Sequence, residues 1–202
     1  IGSVAEYPDL VTVVPLNSGS QPLQQGTTNQ AIISFTMNVD RSDALWRRLI
    51  VRATGTAVGD GLVTDEINGI NLYRDANSNY NLDAADVFVG SAVFNTGGGF
   101  QLAKIEFGAS TSAVQRILSA PSRYLLTLDI NDTAVPTDPV TGDPRTLGLI
   151  LETESFPQLQ NGIDEPLADS ISETALPNKR PEPFTFVSAL HTLDARTSEL
   201  TD

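Results

Sequence analysis

The 202-residue chain has no cysteine, one histidine, one methionine and one tryptophan. Without cysteine it has no disulfides, thiol nucleophiles, iron–sulfur clusters or zinc–thiolate sites. One imidazole, His191, cannot build a multi-histidine metal site, and any Ser/His/Asp triad would depend on it. Basic residues are also scarce: 12 Lys and Arg stand against 25 Asp and Glu, a formal charge of -13. They cluster no further than the pairs Arg47-Arg48 and Lys179-Arg180. Nucleic acid and anionic membrane surfaces both require a basic footprint, so neither is expected as a partner. No apolar run approaches the ~18 residues of a membrane span, so membrane insertion is not expected. The start, Ile1-Gly2-Ser3, lacks a Met and the layout of a signal peptide, and reads as a processed or trimmed terminus.

What is present suits a globular fold. Hydrophobic residues make up 40% of the chain, with 15 Gly and 12 Pro, and this length buries roughly 70% of the unfolded chain's surface without covalent staples. Alternation of period two marks half-buried strands: Ile33, Phe35, Met37 and Val39; Leu49, Val51 and Ala53; Tyr124, Leu126, Leu128 and Ile130; Leu147, Leu149 and Leu151. Further strand segments are Leu10–Leu16, Gly69–Arg74, Val87–Phe94, Phe100–Phe107 and Phe184–Leu193, most bounded by turn residues. Only Thr111–Ser119 has helix-like spacing, and a short helix or another strand fits it equally. These features predict an all-β fold, an antiparallel β-sandwich of Ig-like or jelly-roll-like type with about nine strands. A single domain spans 1–202, with a polar N-terminal arm over 1–9 and a long Pro-rich connection over 156–183 before the last strand. Asn95–Gly99 reads as a hairpin turn rather than a phosphate cradle, because it joins two strands. Pro136–Pro144 reads as a hairpin loop between Tyr124–Ile130 and Leu147–Leu151.

One segment carries recognisable chemistry. From Asp75 to Asp86, oxygen-bearing side chains occupy positions 1, 3, 5, 7, 9 and 12 of a twelve-residue window: Asp75, Asn77, Asn79, Asn81, Asp83 and Asp86. This is the ligand spacing of an EF-hand-type calcium loop, with Leu82 as the apolar anchor at position 8. Calcium takes six to eight hard oxygens, and alternating amides with carboxylates supplies them while limiting charge repulsion. Two positions depart from the pattern. Tyr80 stands where Gly eases the sharp turn, and a left-handed Tyr costs about 1–2 kcal/mol. Asp86 stands where a longer Glu binds through both oxygens. The competing reading is a solvated Asn/Asp turn without a metal.

The run Leu72-Tyr73-Arg74-Asp75-Ala76-Asn77, then Asn81-Leu82-Asp83-Ala84-Ala85-Asp86 and Phe88-Val89-Gly90-Ser91-Ala92-Val93-Phe94, resembles the signature of calcium-loop β-sandwich modules in secreted and cell-surface proteins of bacteria and archaea. Its loop is also similar to that of dockerins. The resemblance covers roughly residues 10–132 and is sharp over Leu72–Phe94. It implies an extracellular or cell-surface module with a structural or adhesive role and a bound Ca²⁺.

Three functions compete. Catalysis would rest on acidic residues such as Asp65-Glu66, Glu152 with Glu154, or Asp164-Glu165, since glycosidases need only a suitably spaced acid pair; the chain is expected not to be an enzyme. A carbohydrate- or ligand-binding module needs exposed aromatics, for which Trp46, Tyr7, Tyr73, Tyr80 and Tyr124 are available. The favoured expectation is a structural subunit of an extracellular filament or surface layer, whose partners are copies of itself or neighbouring surface modules. The segment Leu10, Val11, Thr12, Val13 and Val14 is short, β-branched and uncharged, as strand addition between subunits requires. Pairing within its own sheet is the alternative.

Overall fold

A computed structural model describes residues 11–17, 21–40, 44–46, 48–58, 66–95, 101–107, 116–152, 155, 159–161 and 183–196. The chain is all-β. Among the described residues, nine strands have four or more residues: β1 (Val11–Asn17), β3 (Gln30–Val39), β5 (Arg48–Thr54), β6 (Ile67–Asp75), β7 (Val87–Ala92), β9 (Leu102–Glu106), β11 (Ser122–Ile130), β12 (Thr146–Glu152) and β15 (His191–Asp194). Six more have two or three residues: β2 (Leu23–Gln24), β4 (Ala44–Trp46), β8 (Phe94–Asn95), β10 (Arg116–Ile117), β13 (Leu159–Asn161) and β14 (Thr185–Val187). Alternation cannot be read over so few residues, so the sequence did not signal most of the short set.

A five-stranded antiparallel sheet has the order β1-β3-β11-β6-β7. A second sheet has the order β2-β15-β12-β5-β9-β8, with β14 also paired to β12, and β10-β4-β13 forms a small third sheet. Among the described residues, all strand pairs are antiparallel except β15 with β2. One hydrophobic core joins the two larger sheets, drawing Ile33, Phe35, Met37, Leu126 and Leu128 from one and Leu49, Val51, Ile105, Leu149 and Leu151 from the other. Trp46 lies at its centre. Its ring meets Phe107 at 4.8 Å, Tyr124 at 5.1 Å and Phe35 at 6.1 Å between centroids. Burial pushes the Tyr124 phenol up to about 12. Trp46 and Tyr124 are therefore core residues, not the surface platform for which their chemistry also qualified them.

The first sheet's other face positions the candidate site. Register aligns Asp75, Arg123, Thr36 and Val14 across β6, β11, β3 and β1, and next to them Tyr73, Leu125, Ser34 and Leu16. Alternation turns these rows away from Phe35 and Leu126, so β6 delivers Asp75 to the outer face where the 75–86 loop begins.

Several expectations need correction. Residues 136–144 do not join a hairpin: β11 pairs with β3 and β6, whereas β12 pairs with β5, β14 and β15, so residues 131–145 cross between sheets. The crossing is fixed by a buried ion pair, Arg145 Nη1 to Glu66 Oε1 at 2.5 Å, and by Val135 N donating to Glu66 Oε2 at 2.6 Å. The expected final strand is two strands, β14 and β15, broken where the Ser188 hydroxyl accepts from Leu149 N at 2.9 Å. Part of the helix-like segment is strand β10, and part of the Pro-rich connection is strand β13, paired to β4. Antiparallel β8 and β9 flank the expected turn at Asn95–Gly99. Residues 96–100, the arm 1–9, Leu10 and residues 162–182 lie outside the described residues.

Candidate metal centre

Asp75 ends β6 and anchors the loop. Its side chain is fully buried, and its oxygens accept the backbone N–H groups of Asn79 at 3.2 Å and Tyr80 at 3.0 Å. Drawing two successive N–H groups back onto the first residue curls the chain. Two left-handed residues complete the curl, Ser78 at φ 61° and Tyr80 at φ 65°. Tyr80 thus adopts the backbone expected of position 6, at the steric cost a β-carbon imposes there.

The other side chains close the ring. Asn77 Nδ2 and Asn79 Nδ2 both donate to Asp83 Oδ2, at 2.8 and 2.7 Å. Asp86 accepts from Ala76 N at 3.0 Å and Asp83 N at 2.9 Å, binding the loop's end to its beginning. Asn81 N donates to Asn79 Oδ1 at 2.7 Å, and Asn81 Nδ2 donates to Asn79 O at 3.0 Å. The Asp83 carboxyl is held below its ordinary range, first by the Ala85 N–H and then by the Asn77 and Asn79 amides. All six sequence-selected residues therefore sit in one hydrogen-bonded loop. Among the described residues, no group of three or more His, Cys, Asp or Glu side chains is placed to hold a metal; a calcium site here would draw on amide and backbone oxygens as much as on carboxylates.

Sequence reasoning missed Arg123. Its Nη1 lies 3.7 Å from Asp75 Oδ2 and donates to Ser78 O at 2.5 Å, while its guanidinium carbon stacks 3.4 Å from the Tyr80 ring centre. It ties the loop to β11. Forty-eight positions separate Asp75 from Arg123, so only the strand register reveals the contact. A second missed group is centred on Asn29, at φ 56°. Its Oδ1 accepts from Tyr73 Oη at 2.9 Å, Asn71 Nδ2 at 3.2 Å and Thr127 Oγ1 at 3.3 Å.

Two of the acidic candidates for catalysis lie among the described residues, each in an ion pair of its own. Glu66 is buried against Arg145, and Glu152 pairs with Arg52 at 3.1 Å; Asp65, Glu154, Asp164 and Glu165 lie outside the described residues. His191 is buried in β15, its Nδ1 2.8 Å from Gln21 O. Val11, Thr12, Val13 and Val14 pair with Val39, Asn38, Met37 and Thr36 of the chain's own β3. That uses one edge of β1; its other edge has no strand among the described residues. No described helix is long and apolar enough to cross a membrane.

No protein-family model matches this chain, and no curated protein does. Among solved structures, one described as "AvmM Catalyzes Macrocyclization in Alchivemycin A Biosynthesis" is similar over 95% of this chain and 93% of its own, at 11% identity and a TM-score of 0.40. That structure is of a catalyst, so the expectation that this chain is not an enzyme is corrected and carried no further. A likeness of this size assigns no reaction, substrate or residue to the chain.

Proposed function

We propose that the chain is a calcium-stabilised β-sandwich unit, Ig-like or jelly-roll-like, of an extracellular or cell-surface assembly. The observation that carries this reading is the closed 75–86 loop, in which Asp75, Asn77, Asn79, Asp83 and Asp86 meet through side-chain hydrogen bonds. In the loop, the amides of Asn77 and Asn79 turn their N–H groups to Asp83. A half-turn of each amide presents oxygen instead, and a divalent cation favours that arrangement. Asn81 supplies mainly its backbone carbonyl. Arg123 opposes the cation by charge, so affinity is modest, with a dissociation constant on the order of 10⁻⁴–10⁻³ M, suited to a calcium-rich exterior.

Assembly is supported by the edge of β1 that no described strand covers, where Val14 and Leu16 are exposed. Pro15 lacks an N–H, so a pairing partner, another copy or a neighbouring surface module, has the stretch Val11–Val14 to extend. Calorimetry is expected to show binding at millimolar calcium that Asp75→Ala abolishes; absence of both heat and thermal shift overturns the metal reading. Electron microscopy in calcium is expected to show fibres or lattices that Val14→Lys disperses, a lysine at an edge being a barrier to pairing. Monodisperse monomers in calcium overturn the assembly reading.

A further inference from the structure

We propose that the outer face of the five-stranded sheet carries a binding groove for a neutral oligosaccharide, between edge strand β1, the start of β3 and the 75–86 loop. The inference goes beyond the calcium reading, because the loop is already fixed over the sheet by Arg123 and by its own hydrogen bonds. The groove has a volume of about 600 Å³ and is lined in the main by Leu16, Asn29, Ser34, Tyr80, Asn81 and Leu82. That size lies within the range of about 300–1,000 Å³ usual for small-ligand sites.

Its chemistry selects the ligand. In a chain of charge -13, no lining side chain among the described residues is charged, so an ion finds no counter-charge there. Ser34 is only 3% exposed, and its hydroxyl makes no hydrogen bond among the described residues. Its oxygen is not among the side-chain atoms closed off from solvent, so it opens to the groove, where a ligand hydroxyl can bond it. Asn29 has its Oδ1 held by three donors, which fixes the amide; its Nδ2 makes no hydrogen bond among the described residues. Tyr80 lines the groove with one ring face covered by Arg123, and Leu16 and Leu82 add apolar surface. A purely apolar ligand would leave Ser34 and Asn29 unpaired. A neutral sugar, with hydroxyls on its rim and C–H groups on its faces, meets both the polar and the apolar wall.

The test is calorimetry with tetrasaccharides of glucose, mannose, galactose, xylose and N-acetylglucosamine, with sialyllactose and a heparin tetrasaccharide as charged controls, in millimolar calcium and again in EDTA. At least one neutral sugar is expected to bind, and neither charged control. Ser34→Val and Tyr80→Gly are each expected to weaken that binding about tenfold or more. Tyr80 is exposed, so its replacement keeps the test valid should the buried Ser34 variant not fold. Absence of binding by every neutral sugar, binding of the charged controls alone, or affinity that both variants leave unchanged overturns the groove. Sugar binding that persists in EDTA while calcium gives no heat upholds the groove and removes the metal reading; calcium binding without sugar binding does the reverse.

Discussion

Residues 75–86 and 136–144 are both aspartate-containing turns between strands, and they use carboxylates differently. In the second, Asp138 Oδ1 accepts from Val140 N at 2.7 Å and Thr141 N at 3.1 Å, and Gly142 closes the turn at φ 77°. Nothing lies within 4 Å of where a Gly142 β-carbon would sit, and Val140 is 91% exposed. That turn projects into solvent. In the first, carboxylates at both ends reach across the loop, and Asp75 is buried. The difference lies in spacing. Asp138 satisfies only the N–H groups two and three residues ahead, whereas oxygens at every second position along 75–83 bring distant parts of one loop together.

The largest expected effect is at the base of the second loop. Glu66→Ala removes the carboxylate that the buried Arg145 pairs with, and loss of one partner of a buried pair costs about 3–5 kcal/mol. Chemical denaturation is expected to show a loss of this size; a change below about 1 kcal/mol would make the pair equivalent to the exposed Arg52–Glu152 bridge.

Calcium separates the loops directly. At a hundredfold excess over the dissociation constant, a native-state ligand adds about 2.7 kcal/mol of stability. The calcium-dependent rise in melting temperature should vanish in Asp75→Ala and survive in Asp138→Ala. Equal responses would erase the distinction between site and turn.

Smaller effects concern the left-handed residues. Gly142→Ala meets no steric neighbour, so its cost is that of the backbone alone, about 1–2 kcal/mol. Tyr80→Gly relieves the same strain but loses the Arg123 stack, worth about 0.5–1 kcal/mol, and gives up a similar amount to unfolded-state freedom. Its net change in calcium-free thermal unfolding should stay within about 1 kcal/mol.

The smallest effect is in titration. Asp83 and Asp138 are both held below the usual 3.8 by backbone N–H groups. A depressed carboxyl stabilises the fold above its unfolded value, and that contribution is lost as pH falls through the folded one. Both carboxyl resonances should therefore titrate below 3.8. Calcium should lower Asp83 further and leave Asp138 where it is.

The long strands were legible because alternation over β3, β11 and β12 reflects one wet or crowded face against one core face. The 75–86 loop was legible because its ligand pattern is local. Arg123, Asn29 and Ser34 were not, since their roles depend on which strands lie side by side across gaps of up to about a hundred residues. Trp46 and Tyr124 were ambiguous for the same reason: an aromatic side chain suits a core or a platform, and the register decides. The crossing at 131–145 was misread because adjacency in sequence favours a hairpin, whereas the Glu66–Arg145 pair holds the chain between sheets.

The parallel pairing of Leu193 and Asp194 with Leu23 and Gln24 has a kinetic consequence. β15 lies between β2 and β12, so that sheet stays unfinished until almost the last described residues have been made. Contacts this distant in sequence are slow to form, because loop-closure entropy is lost before the pairing returns any stability. During synthesis β2 and β12 therefore wait with unsatisfied edges, and the emerging chain passes through a stage in which self-association competes with its own completion.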